Sequence, residues 1–106
     1  MESDLNLPNA LDGPERRGRV FELAVGGELR QLPGELFYWS EKTAEVDFVY
    51  RHQNRLYAIE VKSGQKKSTK GLGAFWQQFA DARSVIVTPD NFALLSADPA
   101  KFLAML

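Results

Sequence analysis

The sequence contains no cysteine, one histidine and no long apolar run, and each of these absences excludes a class of protein. Without cysteine there is no disulfide, no zinc-thiolate site and no thiol nucleophile, and His52 alone cannot build a histidine-based metal site. No apolar run approaches the roughly 18 residues of a bilayer span, and the polar start MESDLNLPNA has no signal-peptide core. We therefore expect no membrane partner, a cytoplasmic location, and oxygen ligands for any metal ion.

The charge is nearly balanced over the whole chain but not along it. With 13 basic and 14 acidic residues the net charge is -1, which is no reason in itself to expect nucleic acid. Residues 51–70 differ, because six basic residues accompany one acid, Glu60. The six are Arg51, Arg55, Lys62, Lys66, Lys67 and Lys70. Such a segment can contact phosphate, yet it is more often solvated surface, so charge alone leaves both interpretations open.

The length of 106 residues predicts one small domain, over residues 14–106, after a flexible leader over residues 1–13. A helix is predicted from Pro14, with apolar residues at helical spacing: Phe21, Val25, Leu29 and Leu32. The segments ELFYWS, AEVDFVYR and RLYAIEVK predict three strands in a meander. A second helix follows a Ser68 N-cap, with its apolar face formed by Leu72, Phe75, Trp76 and Phe79.

The C-terminal third completes the predicted fold. SVIVTPD is typical of a buried strand, NFALLSA is a candidate fifth strand, and Asp98 is expected to cap a last helix. The order α-β-β-β-α-β predicts an α/β domain with a mixed sheet of four or five strands and helices on its faces.

The second and third strands can be aligned by arithmetic. If Gln53 and Asn54 form a two-residue turn, facing residues sum to 107, and Asp47 lies opposite Glu60. Because side chains alternate along a strand, Lys62 shares the face of Glu60. The alternation places four apolar residues on the other face: Val46, Phe48, Ile59 and Val61.

Two carboxylates directly opposite each other are unfavourable unless a cation lies between them. A divalent metal ion or Lys62 would satisfy this condition. The simpler interpretation is that Lys62 neutralises two exposed carboxylates on a solvated sheet face. A longer loop at Gln53 and Asn54 would also shift the register and separate the pair.

An acidic residue early in one strand, followed by an acid-apolar-lysine triplet on the next, resembles the PD-(D/E)XK nuclease superfamily, with Asp47, Glu60 and Lys62 at the signature positions. The chain looks closer still to the C-terminal domain of unknown function (family 4143) of prokaryotic AAA-type ATPases. That resemblance is carried by GRVFELAVGGEL, LFYWSEKTAEVDFV, YAIEVKSG and STKGLGAFWQQF. Two departures stand beside it: Val46 precedes Asp47 where the superfamily often has proline, and the chain has no Gly-rich phosphate loop, so we expect no nucleotide hydrolysis.

The resemblance implies a restriction-endonuclease-like core that hydrolyses phosphodiester bonds in nucleic acid, DNA in the first place, as the C-terminal part of an AAA-type ATPase. It implies that Mg²⁺ or Mn²⁺ is held by Asp47, Glu60, the backbone carbonyl of Val61 and, from the first helix, Glu22. Lys62 would orient or deprotonate the attacking water. Three further lysines would contact the nucleic-acid backbone: Lys66, Lys67 and Lys70. The alternative is a catalytically inactive interaction module that binds an ATPase domain, a partner protein or, as a homodimer, a second copy.

Six aromatic residues have the chemistry to stack on nucleobases, but their strand and helix spacing favours the core. They are Phe37, Tyr38, Trp39, Phe75, Trp76 and Phe79. Glu45, separated from Asp47 by one residue, is a reserve ligand, whereas Glu28 and His52 are expected at the surface.

Overall fold

One mixed β-sheet organises the domain in the computed structural model, which describes residues 14–62 and 70–106, without the side chains of residues 14–17 and 70. The strands are Glu35–Glu41 (β1), Ala44–His52 (β2), Arg55–Val61 (β3) and Arg83–Val87 (β4). The helices are Pro14–Leu29 (α1), Lys70–Gln78 (α2), Phe92–Ala97 (α3) and Pro99–Ala104 (α4). The predicted leader over residues 1–13 and the predicted cap at Ser68 lie outside the described residues. The predicted α/β class, the mixed sheet and the order of the first six elements are confirmed.

The sheet has the strand order β1-β2-β3-β4. The first three strands form an antiparallel meander, and β4 pairs parallel to β3. A parallel neighbour needs a crossover connection, and α2 lies in that connection. No described helix is long and apolar enough to cross a membrane.

Helices cover both faces of the sheet. On one face α1, α3 and α4 enclose a core whose fully buried members are Val25, Leu29, Ile59, Val87 and Leu95. On the other face α2 packs over β2 and β3 and encloses Val46, Val49, Ala58, Leu72 and Phe75. Ile59 and Ala58 thus mark the two faces, as the alternation along β3 requires.

The first helix begins at Pro14, as predicted, and ends at Leu29, three residues earlier than the apolar spacing indicated. It tolerates a buried glycine, Gly26, because the helix and the sheet approach closely there. A Cβ at Gly26 would lie 2.9 Å from the ring of Phe48. The glycine therefore lets α1 pack directly on β2.

The segment NFALLSA is helical, so the prediction of a fifth strand is wrong. The side-chain oxygen of Asn91 accepts a hydrogen bond from the Thr88 N–H (2.8 Å), and the Phe92 N–H donates to the Thr88 carbonyl (2.9 Å). This turn starts α3 at the point where an extended chain would have had to continue. The predicted cap of the last helix is confirmed, because the Asp98 carboxylate accepts from the Lys101 N–H at 3.2 Å.

The start of α2 lies directly against the backbone of β2. Gly71 is buried, and a Cβ at this position would lie 1.7 Å from the carbonyl oxygen of Glu45. Only glycine fits such an approach without displacing the helix. The contact fixes the first turn of α2 beside the strand that carries Asp47.

Candidate functional site

The region around Asp47 is built on an irregularity of the sheet. Phe37 pairs with Val49, whereas Trp39 pairs with Val46, so one residue of β1 faces two residues of β2. This is a β-bulge at Asp47 and Phe48, a feature that is frequent beside functional sites because it redirects side chains.

The bulge corrects one expectation about the faces of β2. Simple alternation placed Val46 with Phe48 on the α1 side. Val46 instead packs with Val49 and Ala58 under α2, because the extra residue of the bulge reverses the alternation between them. Phe48 packs on the α1 side, as predicted.

The predicted two-residue turn and its register are confirmed. Pairs run from His52–Arg55 to Phe48–Ile59, and each sums to 107. Beyond Phe48, carboxylate oxygens accept the hydrogen bonds of backbone N–H groups on the neighbouring strand. One oxygen of the Asp47 carboxylate (Oδ2) accepts from the Val61 N–H at 2.8 Å, and Oε1 of Glu60 accepts from the Asp47 N–H at 3.3 Å.

This exchange brings the two carboxylates together between β2 and β3. Each side chain reaches the backbone of the other strand, so neither points away into solvent. Glu60 is 3% exposed and is the one charged side chain that is fully buried in the described part of the chain. Asp47 is half-buried beside it. A buried carboxylate needs hydrogen bonds or a cation, because its transfer from water is costly.

Lys62 directly follows β3 and is half-buried. Its N–H donates to the Val87 carbonyl at 2.9 Å, which extends the pairing with β4 by one residue. Strand alternation therefore places Lys62 on the face of Glu60. The sequence triplet Glu60-Val61-Lys62 thus lies at the carboxyl end of a central strand.

Glu22 is half-buried on α1, which packs on the Ile59 face of the sheet. Within residues 14–62 and 70–106, no group of three or more acidic or histidine side chains is arranged to hold a metal ion. Glu22 therefore does not form such a group with Asp47 and Glu60, and its role as a ligand stays a prediction.

The three lysines expected to contact phosphate cannot be placed as side chains. Lys66 and Lys67 lie outside the described residues. Lys70 is the first residue of α2, and its side chain is not described. Their nucleic-acid contacts therefore remain predictions.

Glu45, the reserve ligand, is exposed on β2, two residues before Asp47. Its exposed carboxylate accepts a hydrogen bond from the Tyr38 hydroxyl on β1 at 3.0 Å. Glu28 accepts from Ser96 (3.4 Å) and is half-buried, and so is His52, so neither is as solvated as expected.

The six aromatic residues divide between core and surface, although all six were expected in the core. Phe75 is buried and Trp39 is half-buried, whereas the other four are exposed: Phe37, Tyr38, Trp76 and Phe79. The sequence already indicates that some of these rings are exposed. Phe37, Tyr38 and Trp39 are consecutive on a strand, so alternation prevents all three from facing one side.

The close approach of Gly71 to Glu45 cannot be predicted from sequence, because a glycine near a helix start has no distinctive pattern. Its importance comes from the distance between two elements that are far apart in the chain. Such a contact is visible only in the fold.

Comparison with known proteins gives one match. No curated protein and no solved structure matches the chain significantly. The sequence profile of the family described as "Domain of unknown function (DUF4143)" matches residues 17–102. That range includes Glu22, Asp47, Glu60 and Lys62 and most of the chain. The protein therefore belongs to the DUF4143 family.

Proposed function

We propose that this domain hydrolyses phosphodiester bonds in nucleic acid, DNA in the first place, with Mg²⁺ or Mn²⁺, and that its fold is of the PD-(D/E)XK nuclease type. The supporting observation is the convergence of Asp47 and Glu60 at the bulge, with Lys62 following on the face of Glu60. These are the residues of the acid and acid-apolar-lysine pattern, in which Glu60 and Lys62 follow Asp47 by 13 and 15 positions.

The donor set fits a hard divalent cation. Mg²⁺ prefers oxygen ligands and is commonly bound through only one or two carboxylates, while waters complete its octahedron. A carboxylate has about four acceptor positions, so the backbone hydrogen bonds of Asp47 and Glu60 are compatible with a cation on the same groups. A third acidic ligand is therefore not required.

The backbone of Val61 is oriented in agreement with the proposed carbonyl ligand. The N–H and C=O of one residue in a strand point to the same side. Since the Val61 N–H donates to Asp47, its carbonyl also faces β2. Asp47, Glu60 and this carbonyl together supply oxygen donors from two neighbouring strands.

The chain's own residues would divide the remaining work. Lys62 would position the attacking water and stabilise the negative charge that develops on the phosphate. Asp47 and Glu60 would hold the cation, which supplies charge neutralisation and a lower pKa for the attacking water. Glu22 would approach from α1, directly or through water.

The test is an assay of the purified domain on single-stranded, duplex and branched DNA, with Mg²⁺ or Mn²⁺, beside Asp47→Asn and Lys62→Ala. We expect cleavage by the parent and a loss of about a hundredfold or more in each variant, because each removes a charge that acts on the reacting phosphate. Glu45→Gln is the matched control, since it neutralises a carboxylate on the same strand that bonds to Tyr38 instead. Glu22→Gln asks whether the helix contributes.

Metal binding is tested separately by thermal unfolding with and without Mn²⁺. Binding to the folded state raises the melting temperature, and the rise should disappear in Asp47→Asn but persist in Glu45→Gln. A parent that cleaves no substrate, or an Asp47→Asn variant that cleaves as well as the parent, would show that the domain is not this nuclease.

A second function, a catalytically inactive interaction module, is favoured by one specific observation. Both carboxylates already accept hydrogen bonds from backbone N–H groups across the strands, which is a sufficient structural reason for the pair. Such a module would bind an ATPase domain, another partner or a second copy. The absence of a Mn²⁺-dependent shift in melting temperature, together with an unreactive parent, supports this function.

A further inference from the structure

An aromatic groove lies between β1 and α2, on the sheet face that carries Ala58. Its volume is about 280 Å³, and its lining includes Phe37, Trp39, Val49, Arg51 and Phe79. Phe37 is 42% exposed and Phe79 is 37% exposed. Both are large apolar side chains that line the same groove, and a contiguous exposed apolar surface indicates a binding surface.

The aromatic rings of the groove pack on the buried ring of Phe75. The buried ring of Phe75 contacts Trp39 edge-on, with centroids 5.2 Å apart, and contacts Phe79 at 4.7 Å. On the other side, the guanidinium of Arg51 lies 5.3 Å from the centre of the Phe37 ring. The aromatic side chains are therefore ordered before any ligand arrives.

The groove continues into a basic hollow at the hairpin turn. This hollow, of about 490 Å³, shares Leu56 and Phe79 with the groove and is also lined by Arg55 and Arg83. The Arg83 guanidinium donates a hydrogen bond to a backbone oxygen of Leu106. One acid, Asp81, lines the hollow beside the two arginines.

The position of the groove connects it to the proposed site. Trp39 pairs with Val46, the residue before Asp47, and Arg51 pairs with Leu56 near the turn. Arg51 also pairs with Glu35, and the four steps from Trp39 to Glu35 on β1, the strand without the extra residue, span about 13 Å at about 3.3 Å per residue. The groove therefore runs along the sheet from the level of Asp47 to the turn, on the face to which alternation assigns Glu60.

We propose that this groove binds a single-stranded segment of nucleic acid, with bases stacked on Phe37 and Phe79 and the backbone directed along Arg55 and Arg83. Aromatic rings beside cations are the recurring arrangement for single strands, since every unpaired base offers a flat face. In a duplex these faces are stacked on each other. The link to cleavage rests on the proposed function, since the strand would lead towards Asp47 and Glu60.

A second copy of the chain fits this surface less well. Pairing of two β1 strands in antiparallel orientation, centred on Tyr38, would place Glu35 of one copy opposite Glu41 of the other. Like charges directly opposite each other are destabilising. A symmetric contact across the hollow would likewise bring arginines towards arginines.

The test measures binding by fluorescence anisotropy of a labelled oligothymidine and of a matched duplex, in EDTA, with the Asp47→Asn protein as well as the parent. We expect the single strand to bind at least about tenfold more tightly than the duplex. Stacking contributes about 1–3 kcal/mol per base, so Phe37→Ala and Phe79→Ala should each weaken single-strand binding about fivefold or more. Phe37→Trp should retain binding.

Leu94→Ala is the matched control, because Leu94 is 60% exposed on α3, which belongs to the opposite side of the sheet. It should bind like the parent. Thermal unfolding of each variant shows whether a loss of binding reflects a loss of fold. Equal affinity for single strand and duplex, unchanged binding in both phenylalanine variants, or a Phe37-dependent dimer without nucleic-acid binding overturns the proposal.

The design separates this proposal from the proposed function. Binding is measured without a divalent cation, so it does not depend on cleavage. Aromatic-dependent binding without cleavage of any substrate would contradict the nuclease alone. Cleavage of duplex that is unaffected by Phe37→Ala and Phe79→Ala, without single-strand preference, would contradict the groove alone.

Discussion

The two ends of the β2–β3 hairpin differ in how the strands are hydrogen-bonded. At the turn, Gln53 and Asn54 connect the strands and the pairs follow one register as far as Phe48–Ile59. At the other end, the bulge interrupts the ladder and carboxylates accept the hydrogen bonds that backbone carbonyls would otherwise accept. The turn end determines the register of the two strands. The bulge end brings the carboxylates of Asp47 and Glu60 together, at a distance from the turn that the register fixes.

The difference extends to the surroundings of each end. The turn is exposed, with room around it. The irregular end is confined, because Gly71 at the start of α2 lies against Glu45 and Glu60 is buried below it. A change at the turn can be absorbed locally, whereas a change beside the bulge affects helix packing and buried polar groups together.

The largest effect is expected where the irregular end meets α2. Gly71→Ala would place a Cβ 1.7 Å from the Glu45 carbonyl oxygen, so the helix or the strand has to move. We expect a destabilisation of about 3 kcal/mol, which is the upper end for overpacking. At about 4 °C per kcal/mol, this would lower the melting temperature by roughly 12 °C in thermal unfolding followed by circular dichroism.

Gly73→Ala in the same helix is the control. No atom lies within 4 Å of its added Cβ, so only the gain in helix propensity remains. This variant should be more stable than the parent by about 0.5–1 kcal/mol. Equal melting temperatures for the two variants would mean that the close approach at Gly71 does not exist.

The next effect concerns the hydrogen bonds of the irregular end. Asp47→Ala leaves the Val61 N–H without its acceptor, and we expect a loss of about 1–3 kcal/mol in the free energy of unfolding. Asp47→Asn keeps a side-chain oxygen at the same place and should lose less. Urea denaturation of both variants measures the difference. A stabilised Asp47→Ala protein would instead indicate that repulsion between the two carboxylates dominates the site.

The regular part of the hairpin could be predicted from sequence because it depends on local chemistry. Two central residues, Gln53 and Asn54, define the turn, and period-two alternation then assigns each side chain to a face. The same local rules correctly placed Asp47 near Glu60. They also identified the start of α1 and the cap at Asp98, which likewise depend on neighbouring residues.

The bulge, the edge position of the aromatic rings and the helical state of residues 92–97 could not be predicted in this way. The bulge inserts one residue relative to β1, which lies on a different segment, so Val46 was assigned to the wrong face. Phe37 and Phe79 are residue types that are common in cores, but β1 is at the edge of the sheet and both rings are exposed there. The short apolar segment at Leu94 and Leu95 is compatible with either strand or helix until Asn91 forms its turn.

A smaller effect is expected in the pH dependence of stability, through Tyr50 in the regular part of the hairpin. Burial, and then the neighbouring Tyr57, raise the pKa of Tyr50 above its ordinary value near 10, and its hydroxyl donates to the Pro33 carbonyl. The folded state therefore holds this proton more tightly than the unfolded chain. The resulting stability is complete below about pH 10 and decreases as the pH rises towards the folded-state pKa.

Tyr50→Phe tests whether the stability contributed by Tyr50 decreases as the pH rises. At pH 7 the variant loses the hydrogen bond to Pro33 and should be less stable by about 1 kcal/mol. Above pH 10 the difference between parent and variant should shrink, because only the parent has this ionisation. Urea denaturation between pH 7 and pH 11 measures both values, and a difference that stays constant over this range contradicts the raised pKa.

The smallest effect is expected at the turn itself. Gln53 and Asn54 have φ angles of 51° and 64°, the left-handed region that a type I′ turn requires at both central positions. Glycine adopts this region without steric cost, so Asn54→Gly should stabilise the domain by about 0.5 kcal/mol or slightly more. Asn54→Ala should destabilise it, because alanine has neither this freedom nor a side chain that bonds locally. Both changes should leave Mn²⁺ binding unaltered, since the register is kept and the irregular end is five residue pairs or more from the turn. If Asn54→Gly alters Mn²⁺ binding, the two ends of the hairpin are coupled, and the turn does more than set the register.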